Sequence, residues 1–177
     1  WSITRILRIK KLTGKKLFLL IMGISTIASG LMGEVASIII IANIIIEISV
    51  FFEIDPIPLL IPAVLATNIG SSGTLLGNPI GVLIAARGNL TFEDFLTQAF
   101  PITIGVLLIT ILLLFVLYRK YIRVLDEKVH LLRDNPFFLS LITISPSRKV
   151  KVSAGIFILT IIAISLHRRF ELFFMLE

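Results

Sequence analysis

Polar residues are so sparse along this chain that their positions divide it into segments. Residues 17–52 are apolar apart from small hydroxyl and amide side chains and the two carboxylates Glu34 and Glu47. As one straight helix this run would be about 54 Å long. The hydrocarbon core of a bilayer is only about 30 Å thick, so the run has to fold back. Its weakest point is Ser29-Gly30-Leu31-Met32-Gly33-Glu34, where two glycines meet the first carboxylate of the chain. The legs are then 17–28 and 35–52, and the first reaches only about 18 Å, too short to cross. Residues 17–52 are therefore expected to form a re-entrant helical hairpin. Its tip should lie deep in the protein, because irregular backbone at membrane depth must be shielded from lipid.

Glu53-Ile54-Asp55-Pro56-Ile57-Pro58 marks the next boundary. Residues 59–86 then carry no charge but contain Asn68-Ile69-Gly70-Ser71-Ser72-Gly73-Thr74 and Gly77-Asn78-Pro79. Pro79 lacks a backbone donor, and the glycines permit conformations that other residues avoid. The pattern predicts a broken transmembrane helix over 58–87, with halves at 58–69 and 79–87 joined by an unwound polar stretch. Thr91, followed by Glu93 and Asp94, has the form of a helix N-cap with acids in the first turn. A short interfacial helix is expected over 91–98 and a transmembrane helix over 99–118. The latter ends at Tyr118-Arg119-Lys120-Tyr121, an aromatic and basic interfacial anchor. A polar basic segment follows over 119–149, then a further transmembrane helix over 150–167. At the other end, 1–16 carries six Lys and Arg residues among spaced apolar ones, as a basic amphipathic arm on a membrane surface does.

Composition agrees with this reading. The 177 residues are 56% apolar and 16% charged, against about 45–50% and about 25% in soluble domains. The absence of cysteine excludes disulfides, thiolate metal sites and a cysteine nucleophile, and two histidines make a His-rich metal centre a poor fit. In a polar chain the net charge of +6 would suggest nucleic acid. In a greasy chain it marks cytoplasmic loops. Both 1–16 and 119–149 are therefore expected on the cytoplasmic side of the plasma membrane. A non-crossing hairpin, a broken span and the 99–118 span place two crossings between them. The start at Trp1 and the apolar run at Glu177 read as an internal piece of a longer multi-pass protein.

Two places carry chemistry. Glu34 is a carboxylate between apolar legs, where a charge is expensive and usually faces a cavity or partner. It is a candidate proton or cation site, with Ser37 one turn on. The alternative is a loop in water with Glu34 solvated. Glu47 sits nearer the end of its leg and is expected to reach the interface or pair with the basic arm. The second place is 67–79, which gathers Asn68, Gly70, Ser71, Ser72, Gly73, Thr74 and Asn78 within an apolar run. Half-helix ends at mid-membrane offer N–H groups to anions and carbonyls to cations. The rival reading is packing, since Gly73, Gly77 and Gly81 recur every fourth residue as in close helix contacts. The added amides and hydroxyls exceed what packing needs. Gly70-Ser71-Ser72-Gly73 also matches the Gly-x-Ser-Gly of rhomboid intramembrane proteases. That chemistry needs a base beside Ser72, and His130 and His167 sit in a basic loop and at a span end. Asn78-Pro79 and Asn135-Pro136 resemble the paired Asn-Pro-Ala of water channels, but the second pair follows Arg133-Asp134 in the polar segment.

Residues 10–90 resemble the arsenite-efflux permeases and their relatives in the ion transporter superfamily. These include D-type sodium/proton antiporters and citrate and dicarboxylate carriers. The likeness rests chiefly on Thr67-Asn68-Ile69-Gly70-Ser71-Ser72-Gly73-Thr74-Leu75-Leu76-Gly77-Asn78-Pro79. The hairpin tip Ser29-Gly30-Leu31-Met32-Gly33-Glu34-Val35-Ala36-Ser37 is a degraded form of the family's first motif. Asp55-Pro56-Ile57-Pro58 and Leu90-Thr91-Phe92-Glu93-Asp94-Phe95 add to the likeness, which continues weakly to about residue 170. Gly33-Glu34 stands where the family has Asp-Asn, and Asn78 where it has Asp. The resemblance implies an all-α integral membrane fold, one half of an inverted-repeat transporter with hairpin and broken helix meeting at the midplane. It implies secondary active transport of an inorganic or organic anion, coupled to H⁺ or Na⁺, by alternating access. A sodium/proton antiporter of the same superfamily is the alternative; an intramembrane serine protease and a packing subunit are the rivals from other classes. No enzymatic activity and no cofactor beyond the coupling ion are expected. The expected partners are the lipid bilayer, a small anion, the missing second repeat and a second copy in a homodimer, with no nucleic acid.

Overall fold

The computed structural model describes residues 13–133, together with the isolated helical positions 152, 155, 156 and 159. Most of the basic arm, the rest of the polar segment and nearly all of the 150–167 span lie outside the described residues. The described residues are helical throughout, with no strand. They form α1 (Gly14–Met32), α2 (Glu34–Phe52), α3 (Ile57–Ser72), α4 (Pro79–Gly88), α5 (Phe92–Leu117) and α6 (Arg119–Arg133).

The hairpin legs α1 and α2 are 19 residues each, so the expected 17–28 leg was too short. The helix starts at Gly14, capped by the Thr13 side chain, and runs through Ser29-Gly30 without a break. At about 28 Å each leg is long enough to cross a bilayer, so length is no longer an argument for re-entrance. The break is a single residue. Gly33 has φ 86° and ψ 156°, a conformation that a Cβ makes costly. Helix α3 likewise runs through Asn68-Ile69-Gly70-Ser71-Ser72, which narrows the unwound stretch to residues 73–78.

The expected interfacial helix over 91–98 is part of α5. Thr91 caps it through a reciprocal pair with Asp94. One π-helical turn over Phe95–Ala99 then carries the chain into Pro101 without a stop. The wider turn offsets the donor and the space that a proline takes from a helix. The result is a continuous apolar helix of 26 residues, about 39 Å long.

Packing is reversed relative to a soluble protein. Large apolar side chains on α2, α4 and α5 are exposed, among them Ile39, Val50, Ile80, Leu112 and Val116. Small polar ones, including Ser25, Thr26, Ser29, Ser37, Thr67, Ser71 and Thr103, are buried. In lipid, apolar surface gains little from burial, and small residues that allow close approach hold helices together. Gly70 shows this: a Cβ there would overlap the backbone of Thr26 on α1. Apolar burial concentrates at the opposite end from the tip. There Leu17, Phe18, Met22, Ile45, Phe52 and Leu59 meet Ile122, Leu125 and Val129 of α6. These three α6 positions follow helical spacing, which makes the start of the polar segment an amphipathic helix.

This end is also fastened by polar contacts. The Gly14 N–H donates to Asp126 Oδ1 at 2.5 Å. Tyr121 OH donates to the Asp55 carbonyl at 2.7 Å, and Lys128 pairs with Glu53 at 3.6 Å. Burial and the Asp55 charge push the Tyr121 phenol above its ordinary value, so it remains a donor. The start of α1, the α2–α3 corner and α6 thus share one end of the bundle. A membrane-impermeant maleimide should label Lys16→Cys and Lys120→Cys in the full-length protein from one side and Glu93→Cys only from the other. Labelling of the first two from opposite sides would refute this arrangement.

Candidate ion and substrate site

The site forms where the two helix breaks meet. The C-terminal carbonyls of α1 and α3 and the first N–H groups of α2 and α4 lack partners in their own helices. Each break supplies the other. Glu34 N–H, at the start of α2, donates to the Gly77 carbonyl at 2.9 Å. Thr74 Oγ1 donates to the Gly30 carbonyl at 2.5 Å. Within the second break, Gly73 N–H donates to the Gly70 carbonyl, and Asn78 Nδ2 to the Ser71 carbonyl at 3.1 Å. Asn78 Oδ1 accepts from Gly81 N–H at 2.7 Å, capping α4 and fixing which way the amide faces. Gly77 lies so close to Ser71 that a Cβ would overlap its backbone.

Glu34 and Ser71 face each other across this junction. Ser71 Oγ lies 3.2 Å from Glu34 Oε2 and 2.9 Å from the Asn68 carbonyl. One hydroxyl proton serves one acceptor at a time, so Glu34 and the carbonyl share it. Asn78 Nδ2 approaches the same oxygen at 3.5 Å. The Glu34 carboxylate is half-buried at the first residue of α2, where the positive end of the helix dipole favours a negative charge. One turn further on, Ser37 Oγ is fully buried and has no hydrogen-bond partner among the described residues. The junction therefore offers a carboxylate, two hydroxyl oxygens and an amide within a few residues of two helix ends. Oxygen donors of this kind suit hard cations.

The other residues singled out from sequence divide by face. Gly70 and Gly73 are buried as close-approach points, Gly70 against α1 and Gly73 against Thr103 of α5. Thr74 is buried and ties the breaks together. Ser72 is exposed on another face of α3, and its hydroxyl returns to the Ile69 carbonyl at 2.7 Å. Asn68, one turn before Ser72, is exposed on the same face. Neither meets Glu34. Glu47 is exposed on α2, three turns beyond Glu34. Thr103 was missed; a lone threonine in an apolar span gives no sign that it packs on a glycine of the break.

The depth of the junction follows from α5. Thr103 stands beside Gly73, and Phe115 packs against Phe18 near the start of α1 with ring centroids 5.5 Å apart. By helical rise Thr103 is about 16 Å from the start of α5 and about 21 Å from its end. The tip and the break thus meet near the middle of the longest apolar helix.

The citrate transporter family matches residues 1–175, and the chain belongs to that family. It is 32% identical over 114 residues to a 46 kDa membrane protein of Mycobacterium leprae, covering 64% of this chain and 27% of that protein. It is 31% identical over 99 residues to an uncharacterized transporter of Mycobacterium tuberculosis, covering 56% and 23%. It is 26% identical over 116 residues to a silicon efflux transporter of Oryza sativa, covering 66% and 24%. The chain spans about a quarter of the length of these curated relatives. No solved structure matches it significantly. Family membership and, among the described residues, three helices long and apolar enough to cross make it part of a multi-pass membrane protein in a family of transporters, as its motifs imply.

The close approaches predict where substitution is least tolerated. Gly70→Ala should force α1 and α3 apart and cost about 1–3 kcal/mol, as overpacking does. Thr74→Val should cost about 1–3 kcal/mol by leaving the Gly30 carbonyl unpaired. Both should appear as lower Tm of the full-length protein in detergent. An unchanged Tm for Gly70→Ala would mean that the helices are not packed this closely.

Proposed function

We propose that this chain forms one repeat of a secondary active transporter that moves an inorganic or organic anion, coupled to H⁺ or Na⁺, by alternating access. The observation that carries this reading is the 3.2 Å approach of Glu34 and Ser71 where two helix breaks meet. A carboxylate at that depth is expensive unless it serves a charge that comes and goes. In this reading Glu34 takes the coupling ion, with Ser71, Ser37 and freed carbonyl oxygens as further ligands. The start of α4 at Asn78-Pro79 faces the anion with its N–H groups. Asn68, Gly70, Ser72, Gly73 and Thr74 belong to the same site, the glycines and Thr74 as its frame and the exposed pair as its open side. The family description favours a polycarboxylate such as citrate. The name of the rice relative favours an inorganic solute.

A second repeat would complete the site from the exposed face of α3. The hairpin is re-entrant in this reading, because its tip ends beside the middle of α5 while α5 continues about 16 Å beyond. A sodium/proton antiporter would use the same carboxylate without an anion. The protease reading has less support. Ser72 is bonded to its own helix, and His130 lies on α6 at the other end of the bundle.

The deciding measurement is flux through the full-length protein in proteoliposomes, with citrate, arsenite and silicic acid offered under imposed Na⁺ or pH gradients. Glu34→Gln should abolish the dependence of flux on the coupling ion. Ser72→Ala should leave measurable gradient-driven flux, where a serine protease would lose all turnover, since the hydroxyl donates to its own helix. Ile45→Val, in the core, should lower Tm by an amount equivalent to about 0.5–1.5 kcal/mol without changing coupling. Gradient-dependent flux that survives Glu34→Gln intact would exclude Glu34 as the coupling site.

A further inference from the structure

At the end of the bundle away from the tip lies a cavity of about 650 Å³, lined among others by Lys15, Phe115, Val116, Arg119, Arg123 and Asp126. Its volume falls within the range of about 300–1,000 Å³ typical of small-ligand pockets. Its walls are of two kinds. Arg119 and Arg123 are four residues apart on α6 and share a face, and Lys15 joins them from the first turn of α1. Asp126 is the one carboxylate lining it, and its Oδ1 is already engaged by the Gly14 N–H. Among the described residues Lys15, Arg119 and Arg123 make no ion pair; the pair at this end is Lys128 with Glu53. Three cations thus share one cavity with a single carboxylate.

The other wall is apolar and belongs to the last turn of α5. Val116 is 73% exposed, on a helix whose apolar side chains mostly face outward. Tyr118 ends that helix and Arg119 begins the next, so the cavity straddles the step from hydrocarbon to headgroups. A free anion would use the cations and leave the apolar wall bare. A ligand with an anionic head and an alkyl tail uses both.

We propose that this cavity binds an anionic phospholipid. Its phosphate sits between Arg119, Arg123 and Lys15, and an acyl chain lies along Phe115 and Val116 on α5. Guanidinium groups suit phosphate because their donors match its oxygens in pairs. The lipid joins the start of the hairpin to the α5–α6 corner and steadies the base from which α1 and α2 project.

The test uses the full-length protein, delipidated in a neutral detergent. It is titrated with dioleoylphosphatidylglycerol, dioleoylphosphatidylcholine or inorganic phosphate, with bound lipid counted by native mass spectrometry and Tm recorded alongside. Phosphatidylglycerol should bind and raise Tm, and the other two should do neither. Each cation removed should weaken phosphatidylglycerol binding about five-fold, so Arg119→Gln with Arg123→Gln should weaken it about 25-fold. Lys120→Gln, outside the cavity, should change it less than about two-fold, because diffuse attraction to the same surface is the alternative being tested. The charge-preserving pair Arg119→Lys and Arg123→Lys should bind more tightly than the glutamine pair and less tightly than the unaltered protein, because an ammonium keeps the charge and loses the paired donors. Lys15→Gln gives a single-cation reading on another helix should the double glutamine variant fail to fold. Equal binding of phosphatidylcholine, equal stabilisation by phosphate, or an equal loss with Lys120→Gln would each overturn the proposal.

Discussion

A break in a helix at membrane depth leaves backbone groups that lipid cannot satisfy, each at a cost of several kcal/mol. The described residues contain two such breaks, at Gly33 and at residues 73–78, and they stabilise each other. Gly77 receives the N–H of Glu34, and Thr74 donates to Gly30. Their mutual satisfaction fixes the register of the hairpin against α3, and that register brings Glu34 to Ser71. The site is a consequence of how the chain solves its hydrogen-bond accounting.

Close approach makes the solution possible. Gly70 lets α3 lie directly against the backbone of α1, and Gly73 does the same for Thr103 of α5. The hydroxyls that line these contacts mostly bond back to their own helices. Ser25 donates to the Ile21 carbonyl, Thr26 to Met22 and Ser29 to Thr26. They bury little unpaired polarity and still keep the helices close. Ser37 is the exception beside the site, buried with a hydroxyl that nothing in the described residues accepts. An unpaired buried hydroxyl costs about 1–3 kcal/mol, and Ser49, further along α2, is buried in the same condition.

The same back-bonding explains what the sequence could not show. The Gly, Pro and Asn residues at 33 and 73–79 were legible as breaks because their backbone preferences are local. The extent of the helices was not. Ser29-Gly30 and Asn68–Ser72 look like loop, yet their hydroxyls bond to carbonyls three or four residues back and the helix continues. The short first leg came from that error, and with it the argument for re-entrance from leg length. The division expected between the 91–98 and 99–118 helices was absorbed by one π turn. The start of the polar segment read as charge alone, although Ile122, Leu125 and Val129 form a buried stripe. Of the adjacent serines, Ser71 faces Glu34 and Ser72 faces away. Neighbours on a helix point about 100° apart, and only the docking of α3 on α1 determines which one turns inward.

That docking leaves a consequence on the opposite face of α3. Asn68 and Ser72 are exposed at the depth of the junction, close to the middle of α5. Ser72 can sit against lipid, because its hydroxyl is satisfied within the helix. Asn68 cannot, because its amide makes no hydrogen bond among the described residues and hydrocarbon offers none. This face therefore has to meet water or further protein. It lies one helix width from Glu34, on the far side of the Asn68 carbonyl that shares the Ser71 proton. The open face and the Glu34 carboxylate thus stand on opposite sides of one helix, with the Ser71 hydroxyl turned toward the carboxylate.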